Sequence, residues 1–178
     1  MADEGASPRE LLFESCRRNN PALLQTILST LSAVKTAELI NNSRDGIGNY
    51  PLHVAAQYGS FEVLDHLLDQ EDVEVDPVDR MEGDTPLHKA VRWANANWDE
   101  DDRQQREAGV LLVELLIDAG ADARVRNKGK LKAVELVDPR NSVLRLVLQK
   151  AEYAILLGEG EEDDNMDQGG VGSGSDDG

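Results

Sequence analysis

Several things are scarce in this chain, and each scarcity excludes something. Cys16 is the one cysteine among 178 residues, so no disulfide can close within a chain, and the sequence suits a reducing compartment. Its simplest role is that of a small buried hydrophobe. There are two Phe, two Trp and three Tyr, so an aromatic that recurs at one repeated position carries information. Bases are few: 18 Lys and Arg stand against 35 Asp and Glu, for a formal charge of −17. Such a field repels nucleic acid, anionic membrane and acidic partners, and it attracts basic ones. No apolar run approaches the roughly 18 residues that a membrane span requires. The opening MADEGASPRE lacks the basic and apolar segments of a signal peptide. A cytoplasmic or nuclear protein is the expectation.

Chemistry-bearing motifs are missing as well. The chain has no glycine-rich phosphate loop ending in Gly-Lys, no GxGxxG and no GxSxG. Its carboxylates occur in solvated runs, whereas an acid/base pair needs environments that separate two pKa values. His66 has no cysteine or acid at a zinc-like spacing. No catalytic residue, metal or cofactor is expected.

What the chain does have is a repeat. The stretch GNYPLHVAAQYG at 48–59 returns as GDTPLHKAVRWA at 83–94, 35 residues on. Pro51 matches Pro86, Leu52 matches Leu87, His53 matches His88 and Ala55 matches Ala90. Downstream, VLLVELLIDAGADARV at 110–125 supplies a helical run with a Gly-Ala-Asp exit. Together these residues resemble the ankyrin repeat. The resemblance implies an all-α solenoid of about four helix-turn-helix repeats with hairpin-like loops, working as a non-catalytic binder of other proteins. It also implies that Pro51 and Pro86 open the first helices, and that His53 and His88 form hydrogen bonds that steady their turns. Packed repeats sit roughly 8–10 Å apart, too far for the two histidines to share a metal.

Read in order, residues 1–6 form a flexible N-terminus, and the repeat domain spans 7–157. A diverged N-terminal cap covers 7–42: Ser7-Pro8-Arg9-Glu10 reads as a capped helix start, Asn19-Asn20 ends that helix, and Pro21 opens a second. This second helix has its apolar positions at Leu23, Leu24, Ile27, Leu28 and Leu31, and the cap's extension through Ile40 is longer than a family repeat usually has. One repeat occupies 43–79 and the next 80–126. Aligning Leu67-Leu68 with Leu115-Leu116 gives an offset of 48 instead of 35, so about 13 residues are inserted near 95–107 and should surface. Trp98 in this insertion either meets a partner or folds onto neighbouring helices. A C-terminal cap covers 127–157, with a last helix opened by Asp138-Pro139. From 158 to 178 the composition turns to Gly, Ser, Asp and Glu, and a disordered acidic tail is expected.

The loop Asp69–Asp84 carries eight acids against Arg80 alone, whereas Arg124, Arg126, Lys128, Lys130 and Lys132 make the following loop basic. Those cations form a solvated edge paired with acidic neighbours, or a contact for an acidic stretch such as the tail. By resemblance, partners are met at loop tips and on the exposed side of each first helix. The candidate contacts are therefore Asn49, Gln57, Tyr58, Met81, Glu82, Asp84, Arg92 and Trp93. Tyr58 and Trp93 share one repeat position and are expected on one concave wall. The expected partner is a basic protein met by a monomer, without direct nucleic-acid or membrane contact. An escort of a ribosomal protein or histone is one reading. The other is a regulatory adaptor docking on a folded complex such as a proteasome subunit, kinase or transcription factor.

Overall fold

The computed structural model describes residues 5–164, with side chains through 158. The described residues form α1 (Pro8–Arg18), α2 (Pro21–Leu28), α3 (Ala33–Asn42), α4 (Pro51–Gln57), α5 (Phe61–Leu68), α6 (Pro86–Ala96), α7 (Arg103–Asp118), α8 (Ala133–Leu136) and α9 (Ser142–Asp164), and no strand. Two rows of helices stack side by side. The inner row runs α1, α4, α6, α8, and the outer row runs α2, α5, α7, α9. Each inner helix also packs on its own outer partner, so four helix pairs share one core.

Local chemistry accounts for the helix ends. Ser7 Oγ accepts from the Glu10 N–H at 3.2 Å, and the Glu10 carboxylate accepts from the Ser7 N–H at 2.8 Å. That reciprocal pair satisfies two otherwise orphan donors. Asn19 ends α1 in the left-handed region at φ 47°, and Asn20 caps α2. Prolines at the first turn of α1, α2, α4 and α6 begin each helix where a missing N–H costs nothing.

The inner row adds fully buried alanines to the core beside Leu52 and Leu87, and the outer row adds larger aliphatic residues. Ala55 and Ala90 are fully buried, as are Val63, Leu64, Leu67, Val113 and Leu116. Each large aliphatic side chain removed from water in this way contributes roughly 1.5–3 kcal/mol. Gly109 marks the closest helix approach. A Cβ there would lie 2.7 Å from the Ala94 Cβ, so α6 and α7 meet across a position that admits no side chain.

Three elements differ from the sequence reading. The second helix is shorter than its apolar spacing through Leu31: α2 stops at Leu28, and Ser32 caps a separate α3 by accepting from the Lys35 N–H at 3.3 Å. The last helix begins at Ser142 rather than at Asp138-Pro139, because the Asp138 carboxylate closes a turn onto the Arg140 N–H and Asn141 accepts from the Leu144 N–H. The insertion is mostly helix. α6 and α7 total 27 residues against 15 for α4 and α5, and the link between them leaves Asp99, Glu100 and Asp101 exposed. At the C-terminus α9 runs through Asp164, past the expected start of the acidic tail. The rest of that tail, 165–178, and the first four residues lie outside the described residues. No described helix is long and apolar enough to cross a membrane.

Candidate functional site

The two motif histidines act as clamps between repeats. His53 Nδ1 accepts from the Tyr50 N–H at 3.2 Å, which fixes the neutral tautomer with its proton on Nε2. That Nε2 donates to the Asp84 carbonyl at 2.7 Å, at the entrance to the next repeat. His88 repeats the arrangement: Nδ1 accepts from the Thr85 N–H at 3.1 Å, and Nε2 faces the Leu131 carbonyl at 2.8 Å. Burial lowers the His53 pKa, as expected of a ring held neutral.

Between the two clamps lies an ionic cluster made by three separate segments. The hairpin-like turn 79–84 is closed by the Asp79 N–H donating to the Asp84 carbonyl at 2.9 Å. Asp79 Oδ1 accepts from the Glu82 and Gly83 N–H groups at 2.8 and 2.9 Å. Lys89 reaches in from α6, with Nζ 2.9 Å from Asp79 Oδ2 and 3.6 Å from Asp84 Oδ2. Arg92, one turn on, donates Nε to Asp84 Oδ2 at 2.8 Å and pairs with Glu82 at 3.0 Å. Asn127, from the next loop, donates to Asp84 Oδ1 at 2.9 Å.

Burial pushes the Asp84 carboxyl up, but hydrogen bonds from Arg92 and Asn127 overcome this and hold it at about 2. Asp79 is likewise raised by burial and lowered further by Lys89 and the Glu82 N–H, so its pKa ends below the usual carboxylate value. Three carboxylates therefore face two cations, with the outermost pair, Glu82 and Arg92, open to solvent. Breaking such a buried cluster by removing one member leaves a charge uncompensated, which costs about 3–5 kcal/mol.

The candidate contacts divide on this geometry. Gln57, Tyr58, Met81, Glu82 and Arg92 are exposed, and Met81 and Glu82 sit at the tip of the acidic loop. Asn49 and Asp84 are not surface residues, at 4% and 0% exposure. Asn49 closes a turn with Asp45, its carbonyl accepting from the Asp45 N–H at 2.9 Å and its N–H donating to the Asp45 carboxylate at 2.9 Å, and Asp84 anchors the ionic cluster. Both are corrected from contact to framework.

Trp93 is more buried than Tyr58. α4 ends at Gln57, which leaves Tyr58 as a half-exposed cap residue, whereas α6 continues to Ala96 and holds Trp93 against the preceding repeat. A Cβ added at Gly59, whose φ is +64°, would lie 2.2 Å from Trp93 Cε2. The ring thus covers a glycine that has both left-handed backbone and no room for a side chain.

The basic loop is engaged largely by the protein's own acceptors. Arg124 pairs with Asp122 at 2.9 Å, Arg126 with Glu135 at 3.1 Å, and Lys132 with Glu152, while Lys128 Nζ donates to the Arg80 carbonyl. The Lys128 N–H also donates to the Glu82 carbonyl at 2.9 Å, tying the basic loop to the acidic one. Cys16 is fully buried, and burial pushes its thiol up to about 12. Among the described residues no group of three or more His, Cys, Asp or Glu is placed to hold a metal. Sequence reasoning missed Lys89 and Asn127. Lys89 left a signal, since a lysine stands where the first motif copy has Val54.

Comparison with known proteins agrees with this architecture. A family model described as ankyrin repeats (3 copies) matches residues 12–98, and one described as ankyrin repeat matches residues 82–128. The chain is 42% identical over 172 residues to an ankyrin repeat-containing protein of Saccharomyces cerevisiae, covering 94% of this chain and 90% of that protein. It is 33% identical over 90 residues to a transient receptor potential cation channel subfamily A member 1 homolog of Caenorhabditis elegans, of which it covers 7%. In solved structures it is similar to the human ASB11 ankyrin repeat domain, with TM-score 0.58 and 26% identity, over 83% of this chain and 54% of that chain.

Proposed function

Since this chain belongs to the ankyrin-repeat family, whose repeats serve as protein-interaction modules, we propose that it is a non-catalytic binder of a strongly basic protein. The observation that carries this reading is the division of charge in the loop 69–84. Its buried acids, Asp79 and Asp84, are matched by Lys89 and Arg92. Asp69, Glu71, Asp72 and Glu74 remain exposed around it, outside the cluster that Glu82 joins through Arg92. The inner acids thus hold the loop's shape, while the outer ones present an uncompensated field beside the exposed Met81. A cationic client is drawn in by that field and its charge neutralised, as an escort of a ribosomal protein or histone requires.

Capture from native cell extract on immobilised protein tests the reading. Raising ionic strength from about 0.1 M to about 1 M shortens the screening length from about 10 to about 3 Å. Basic proteins should be retained at the lower salt and released at the higher, and Glu71→Lys with Glu74→Lys and Glu82→Lys should abolish their retention. A retained set that is not basic, or that ignores both salt and charge reversal, would replace the escort with an adaptor that docks by shape.

A further inference from the structure

On the outer row, away from the acidic loop tip, the structure holds a second candidate surface. A cavity of about 630 Å³ opens between the α6–α7 link, α7 and the start of α9. Its apolar lining comes from Trp98, Val110, Leu111 and Val143. Leu111 also lines a smaller cavity of about 140 Å³, bounded by Gly59, Phe61 and Trp93, so the two cavities share one wall residue. Trp98 lines the larger and Trp93 the smaller. Leu111 and Val143 are 52% and 60% exposed, an arrangement the core does not require.

The charges around the groove are unequal in availability. Its three arginines are engaged by the protein itself. Arg103 pairs with Glu107 at 2.6 Å, Arg106 donates to the Glu100 carbonyl, and Arg140 pairs with Asp138 at 2.9 Å while lying 4.5 Å over the Trp98 ring. The acids of the link are held differently: Asp99 Oδ1 accepts from the Asp101 N–H at 2.9 Å, but among the described residues no cation lies within 4 Å of the carboxylates of Asp99, Glu100 or Asp101, and all three residues are exposed. Glu100 lines the cavity itself, so an apolar floor lies beside carboxylates that have no ion-pair partner.

We propose that this groove is a docking site for a partner segment that carries bulky apolar anchors flanked by lysine or arginine. The anchors enter over Val110, Leu111 and Val143, and the flanking cations reach Asp99, Glu100 and Asp101. A volume of about 630 Å³ falls within the roughly 300–1,000 Å³ of well-formed ligand sites. The site is independent of the loop 69–84 reading, since no residue of that loop lines either cavity.

Fluorescence anisotropy with the full chain tests it. The probe is a short labelled peptide in which Leu and Phe alternate with Lys and Arg. Two control peptides replace the anchors with Ser or the cations with Glu. The anchored basic peptide should bind, and both controls should bind at least about tenfold more weakly. Leu111→Asp and Val143→Asp should each weaken the basic peptide about tenfold with unchanged circular dichroism, and Glu100→Lys with Asp101→Lys should do the same without touching the floor. Glu82→Lys should leave it unchanged, and a loss there would place the peptide on the acidic loop instead. Stronger binding of the Glu peptide would overturn the proposal in favour of an anion site built on the arginines. Binding that appears only after removal of 165–178 would overturn it too, by giving the groove to the chain's own C-terminus.

Discussion

The second and third repeats begin from nearly the same words, YPLHVAAQY and TPLHKAVRW, and use them differently. Their shared letters do the same work in both: proline starts the helix, leucine enters the core, and histidine joins its own turn to the next repeat. Their differing letters decide what kind of interior each has. Where the second repeat buries Val54, the third brings in Lys89 and with it a cluster of Asp79, Asp84 and Arg92. Where the second repeat ends its inner helix and leaves Tyr58 outside, the third continues and folds Trp93 inward. A motif thus sets the frame of a repeat, and the intervening residues set its polarity.

The sharpest way to break the comparison is to make the third repeat like the second. Lys89→Val should destabilise the protein by about 3–5 kcal/mol, read from urea midpoints, because Asp79 and Asp84 lose their buried cation. Adding Asp79→Asn to that variant should recover part of the loss. If Lys89→Val alone is neutral, the cluster is not what holds the turn 79–84.

Trp93→Ala should cost about 2–3 kcal/mol, less than the roughly 3–5 kcal/mol of a fully buried aromatic. The effect should appear in thermal and urea unfolding alike. His53→Ala and His88→Ala should each cost about 1–3 kcal/mol, since each strands a buried donor and a buried carbonyl.

The His53 clamp also carries a pH signature. Its folded pKa lies below the ordinary 6.5, so its stabilisation is complete above that value. As pH falls below 6.5 the unfolded chain takes up the proton first, and stability declines until the folded ring protonates as well. His53→Gln should flatten that part of the stability profile. Asp84 acts in a separate, lower window, its contribution fading as pH falls from 3.8 to about 2. The smallest effect belongs to Tyr58→Ala, which should change stability by no more than about 0.5 kcal/mol. A larger loss would mean that the two repeat positions are equivalent after all.

These expectations show what could be read from the chain beforehand. The repeat period, the proline starts, the Ser7 cap and the histidines' bonds to their own turns were legible, because each depends on residues within one turn or on a recurring motif; their reach to the next repeat was not. The ionic cluster was not, because its members come from 79–84, 89–92 and 127, and nothing local announces that they meet. Nor was the burial of Asn49 and Asp84, since a polar residue beside a turn looks the same in sequence whether it faces water or closes the turn. The separate α3 was not foreseen, because apolar spacing runs to Leu31 and does not show that the helix is capped at Ser29 and a new one begins after Ser32.

The two clamps also measure something about how such a chain tolerates change. His53 reaches a carbonyl 31 residues ahead at 2.7 Å, and His88 reaches one 43 residues ahead at 2.8 Å. Twelve additional residues of covalent path leave the clamp itself almost unchanged in length. The join between one inner turn and the next repeat is thus kept whatever length is threaded between its two ends. Length can accumulate along the outer row, carrying new surface with it, while the inner row keeps its clamps.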